Sequence, residues 1–298
     1  MADRLKLVER SDQAAETDRR ITLARRLWLG LGLLLAIAPG CLAGAAGAAP
    51  APRLSISIAA GSITVSGTPG SGARNILTTA APSLKEPAAV LVRLRRGVTV
   101  GRLIAYLARN LTGSPDTISP YGSIVFNREA TPGGSTESET SLLPGTYVAL
   151  NAEGEKSSLW SHVSFDIAAA GAPAPLPVPA AVERTRGFSF VGPVTLRRGE
   201  LVRFENVGPG AHMDVAFRAR SRAAAVTLAM DLRTGRDQAA EKLVSGAPAN
   251  FAGALSRGGL QQETITAGPG WYVQACFLET AGRPNTRLGM ERVIRILS

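Results

Sequence analysis

The His and Cys complement of this 298-residue chain is two of each, so chemistry resting on those side chains is confined to very few positions. Cys41 falls in what reads as a leader, which leaves an exported form with Cys276 alone. One cysteine excludes an intrachain disulfide, and with two histidines it excludes a zinc site of the Cys/His type. His212 sits in a loop after a strand-like run, beside Pro209-Gly210. Cys276 follows the strand-like Tyr272-Val273-Gln274-Ala275, and Met290 precedes Val293-Ile294-Arg295-Ile296. An imidazole, a thiolate and a thioether at one end of a β-sandwich would form a soft donor set. Each residue also has a plain structural reading: Cys276 as a small buried hydrophobe, Met290 as filler at the end of a core, His212 as a turn residue. His162 has no partner in sequence and reads as a strand-surface residue. No Gly-rich phosphate loop, nucleophile elbow or paired-carboxylate motif stands out, so no catalytic residue is assigned.

Three of the four ligands of a blue-copper centre are of these types, and here the sequence resembles the cupredoxin superfamily, in particular bacterial cupredoxin-like modules. The resemblance rests on Pro269-Gly270-Trp271-Tyr272, then Cys276, Gly282-Arg283-Pro284-Asn285 and Gly289-Met290. It covers most of residues 182–298 and, more faintly, 50–168. It implies His212, Cys276 and Met290 as metal ligands, with Asn285 where the second copper histidine would stand. An amide oxygen is a poor substitute for that imidazole. Asn151 falls near the cysteine position in the first half, where no matching Met exists.

The elements that must position these residues come from an internal repeat. Leu94-Arg95-Arg96-Gly97-Val98-Thr99 is echoed by Leu232-Arg233-Thr234-Gly235-Arg236-Asp237. Glu139-Thr140 with Pro144-Gly145-Thr146-Tyr147-Val148 is echoed by Glu263-Thr264 with Pro269-Gly270-Trp271-Tyr272-Val273. Between them, Pro173, Pro175, Pro177 and Pro179 in an Ala background predict an extended linker. The expected organisation is a leader over 1–49, a β-sandwich over 50–168, a linker over 169–181 and a second sandwich over 182–298. The fold class is all-β with small helical insertions: two Greek-key cupredoxin-like sandwiches in tandem, with Tyr147 and Tyr272 equivalent. Val100, Leu103, Ile104 and Leu107 behind Thr99 predict one helix, and Asp237 ahead of Ala240, Leu243 and Val244 predicts its counterpart.

The net charge of +10 would suit nucleic acid, but the arginines at 93, 95, 96, 197, 198, 218, 220 and 222 lack interleaved aromatics or a helix-turn-helix pattern. They read as solvated faces, and nucleic acid is not an expected partner. The same charge suits an anionic membrane or cell-envelope polymer. Arg19, Arg20, Arg25 and Arg26, the apolar run Leu27–Ala38 and an Ala/Gly stretch read as a signal peptide or membrane anchor. Arg25-Arg26 loosely resembles a twin-arginine signal, and Cys41 a lipoprotein cysteine. The expected function is a non-enzymatic extracytoplasmic binding or structural protein without a cofactor, acting on a partner the sequence does not name. The alternative is a copper-binding or electron-transfer protein with an incomplete site in the second copy.

Overall fold

The computed structural model describes residues 51–109, 115–152 and 160–298. The leader readings, Cys41 among them, lie outside the described residues. Among those described, no helix is long and apolar enough to cross a membrane.

The first copy contains β1 (Arg53–Ala59), β2 (Ser62–Gly67), β3 (Gly72–Ala80), β4 (Ala88–Leu94), helix α1 (Val100–Leu107), β5 (Gly122–Glu129), β6 (Ser135–Leu142), β7 (Gly145–Asn151) and β8 (His162–Ile167). Two sheets form, β2-β1-β3-β6 and β5-β4-β7-β8. Strand alternation drives their closure: Leu54, Ile56 and Ile58 of β1 point inward between exposed or half-buried neighbours and pack with Ile76, Leu91, Phe126 and Tyr147.

The second copy contains β9 (Ala181–Thr185), β10 (Phe190–Val191), β11 (Thr195–Arg197), β12 (Leu201–Asn206), β13 (His212–Ala219), helices α2 (Arg222–Thr234) and α3 (Asp237–Glu241), β14 (Ala249–Leu255), β15 (Leu260–Thr264), β16 (Gly270–Ala275), the short pair β17 (Glu279–Thr280) and β18 (Arg283–Pro284), and β19 (Glu291–Leu297). Its sheets run β10-β9-β12-β15 and β14-β13-β16-β19-β11. The strand order is that of the first copy with β11 added at one edge. In each copy the first and third strands of the first sheet pair in parallel, β1 with β3 and β9 with β12.

Side chains repeat the match. The Tyr147 hydroxyl donates to Leu143 O at 2.7 Å, and that of Tyr272 to Gly268 O at 2.8 Å, each four residues upstream. Arg93, opposite Tyr147, donates to Pro144 O at 2.8 Å; Arg218, opposite Tyr272, donates to Pro269 O at 3.1 Å. The expected equivalence of the two tyrosines holds.

The other echo does not. Leu94 ends a strand, whereas Leu232 lies in the last turn of α2 and Gly235 is its left-handed C-cap. The strand counterpart of Leu94 is Ala219. Thr99 caps α1 as expected, its side chain accepting from Arg102 N. In the second copy the main helix is instead α2, capped by Ser221, and Asp237 is the first residue of the short α3 rather than its cap.

The two copies share a sheet. β15 meets β6 through the pair Gln262 and Glu139, making one eight-stranded sheet. Residues 168–180 form no strand and contribute a single bridge, Ala174 to Gly72.

Candidate metal centre

The predicted ligands arrive from three elements at one end of the second sandwich. His212 opens β13, Cys276 directly follows β16, and Met290 directly precedes β19. The chain between the last two is pinned by its own backbone: Asn285 N donates to Leu278 O, Thr286 N to Cys276 O and Met290 N to Asn285 O, at 2.8, 3.1 and 2.9 Å. Gly289, at φ 97°, makes the left-handed turn that delivers Met290. Cys276 and Met290 are fully buried and pack with Phe190, Met213 and Leu278.

The Cys276 sulfur is the hub. Met213 N lies 3.5 Å away and Asn285 Nδ2 3.4 Å away, both donating to it, and His212 Nδ1 stands at 3.9 Å. On its other side, His212 Nε2 is 3.1 Å from Pro209 O. A carbonyl only accepts, so this contact places the proton on Nε2 and leaves the Nδ1 lone pair facing the sulfur. Burial pushes the Cys276 thiol pKa up, the Met213 and Asn285 donors pull it back, and Asp214 adds to the rise.

Asn285 is the departure. It is buried, its Oδ1 accepts from Thr280 Oγ1 at 2.9 Å, and its nitrogen faces the sulfur. The fourth corner therefore carries an N–H donor in place of a ligating atom. Three soft or borderline donors remain. That set fits a cuprous ion, which thiolate and thioether ligands select, and does not fit the two-imidazole blue-copper arrangement. Among the described residues no group of three or more His, Cys, Asp and Glu side chains is placed to hold a metal.

The first copy repeats this frame without the donors. Tyr147 aligns with Tyr272, so Asn151 aligns with Cys276. Ala88 N donates to Asn151 Oδ1 at 3.3 Å where Met213 N donates to Cys276 Sγ, and Asn151 N donates to Ser161 O where Cys276 N donates to Met290 O. Pro87 and Ser161 thus stand in the places of His212 and Met290. His162, the residue after Ser161, opens β8 with its side chain exposed.

Sequence reasoning missed a buried polar network beside the site. Gln274 Nε2 donates to Glu183 Oε2 at 2.6 Å and to Asp214 Oδ2 at 2.8 Å, while Arg292 donates to Gln274 Oε1 and pairs with Glu183 at 2.7 Å. Burial raises both carboxyl pKa values, most strongly at Asp214, where Glu183 adds to the rise and Arg292 opposes it. The available signal was a polar residue inside an apolar strand, such as Gln274 between Val273 and Ala275.

No family model matches the chain, and no curated protein matches it. Similar solved structures include auracyanin B (16% identity, TM-score 0.26, covering 41% of this chain and 93% of that one), a copper-containing nitrite reductase from Thermus scotoductus (13%, 0.25, 83% and 67%) and a multicopper oxidase (14%, 0.22, 82% and 87%). The fold is cupredoxin-like. The expectation that the chain is not an enzyme is corrected by the same findings. A nitrite reductase and a multicopper oxidase are among the structures similar to this cupredoxin-like chain, and a fold that hosts enzymes gives no ground for excluding catalysis.

Proposed function

We propose that this protein is a copper-binding cupredoxin-like module, in which the second copy holds one cuprous ion and the first copy serves as its structural partner. The observation that carries the reading is the His212 Nδ1 to Cys276 Sγ separation of 3.9 Å, with Met290 buried in the same small cluster as Cys276. When bound, copper supplies a one-electron couple, weighted by this soft donor set toward the reduced state. His212 and Cys276 hold the ion, and Met290 contributes the thioether. The N–H groups of Met213 and Asn285 stabilise negative charge on the sulfur. Phe190 and Leu278 keep water from it. The basic, apolar leader supports an extracytoplasmic location.

A second reading is favoured by the orientation of Asn285. With its oxygen held by Thr280 and its nitrogen on the sulfur, the cluster is satisfied without metal, and the sandwich would act as a binding scaffold. Competition titration of the reduced protein against a chromophoric cuprous chelator decides between them. The copper reading expects one equivalent bound by the wild type and none by Cys276→Ser. No copper bound by either protein selects the scaffold, and equal binding by both would place copper away from Cys276 and contradict the proposed site.

A further inference from the structure

The helix and sheet face behind the metal-centre sheet carries a charge pattern that the copper reading does not use. Residues 182–298 contain 16 Lys and Arg against 10 Asp and Glu, and several of those acids are buried, Glu183, Asp214, Asp231, Glu263 and Glu291 among them. The surface is therefore more basic than the count. At one end of β16, Trp271 lies under two guanidinium groups, Arg295 at 5.3 Å and Arg222 at 6.0 Å from the ring centre. Arg220, Arg222 and Arg295 are exposed, and none is within ion-pair distance of a carboxylate among the described residues.

From Arg222, α2 runs along the sheet with Ala225, Leu228 and Leu232 buried beneath it. Its outer side offers Val226, 43% exposed, and Met230, 53% exposed, with Ala223 and Thr227 between. The acid on this helix, Asp231, is buried and held by Arg236. The span from Arg222 to Met230 is about 12 Å at the helical rise. Basic side chains thus border exposed apolar ones on a single helix.

The first copy lacks this surface. Where Trp271 pairs with Arg295, the first copy pairs Thr146 with Asp166, whose side chains hydrogen-bond at 2.7 Å. The charge at the equivalent strand position is inverted.

We infer that the outer face of α2, with Arg220, Arg222, Trp271 and Arg295, docks on an anionic lipid bilayer surface. Arginines bind the headgroup phosphates and Val226 and Met230 enter the headgroup boundary, while the half-buried Trp271 ring lies just beneath Arg222 and Arg295, close enough to report the contact. A bilayer is favoured over a soluble polyanion because exposed Val226 and Met230 contribute nothing to binding a polyanion in water. The apolar run Leu27–Ala38 would hold the chain beside such a surface.

The test uses the full chain with vesicles containing bromine-labelled lipid, either phosphatidylcholine alone or phosphatidylcholine with phosphatidylglycerol. Tryptophan quenching is read against Trp271→Phe, which supplies the background from Trp28 and Trp160. Quenching that depends on Trp271 is expected only with phosphatidylglycerol, and it falls as salt is raised. Arg222→Gln with Arg295→Gln should weaken docking about 30-fold, from about 1 kcal/mol per basic residue near the surface. Val226→Ser with Met230→Ser, both at exposed positions, should also weaken it. Equal quenching in the neutral vesicles, none in the anionic ones, or no loss in the arginine variant overturns the proposal. So does a loss confined to the arginine variant, which would reduce the contact to charge alone and remove the ground for preferring a bilayer over a soluble polyanion.

Discussion

Asn285 decides what the candidate metal centre can do. Its side-chain nitrogen sits 3.4 Å from Cys276 Sγ, in the corner where the resemblance expects an imidazole. Asn285→His supplies the missing ligand and completes a His₂Cys set. The expected outcome is an intense visible thiolate-to-copper band on adding Cu(II), absent from the wild type and checked by absorption spectroscopy. Unchanged spectra would mean that His212, Cys276 and residue 285 do not share one metal position. His212, Cys276 and Met290 were legible in sequence because soft donors are few in this chain and each flanks a strand-like run. The Glu183, Asp214, Gln274 and Arg292 network was not, because its members come from four strands and only the sheet order brings them together.

The duplicated corners show which elements a sequence reveals. Pro-Gly-x-Tyr combines a fixed φ, a tight bend and a tyrosine that ties its own turn, and all three are local. Tyr272→Phe removes the bond to Gly268 O at a buried site. A loss of about 1 kcal/mol is expected, measured by urea denaturation, without change in copper stoichiometry. Helix α1 was legible because Val100, Leu103, Ile104 and Leu107 form an apolar stripe. Helix α2 was not: Ala223, Val226 and Met230 lie on its outer side while Ala225, Leu228 and Leu232 face the core, so little periodic contrast remains. Its C-terminal Leu232-Arg233-Thr234-Gly235 then mimicked a strand and turn.

The two sandwiches are joined by a continuous sheet, and that junction holds a titrating group. Glu263 on β15 is buried, paired with Arg128 of β5 at 2.5 Å and hydrogen-bonded by Gln261. The cost of burying its charge outweighs the pull of Arg128 and raises its pKa from 4.5 to about 7. The folded chain therefore holds this proton more tightly than the unfolded one. Its contribution is complete below pH 4.5 and is lost as pH rises through 7, a change of about 3 kcal/mol. Thermal unfolding across that window should show stability falling with pH, and Glu263→Gln should flatten the slope. A wild-type slope of the opposite sign would show that Arg128 dominates. The tandem repeat was legible from its corners, but the pairing of β6 with β15 was not, since edge strands carry no local mark of their partner.

The centre itself is tested most directly by X-ray absorption at the copper edge on cuprous-loaded, full-length protein. The expected spectrum is that of a three-coordinate ion with two sulfur scatterers and one imidazole nitrogen, from Cys276, Met290 and His212, with a single sulfur remaining in Met290→Leu. Copper bound only by nitrogen and oxygen, or a spectrum unchanged by Met290→Leu, would contradict it.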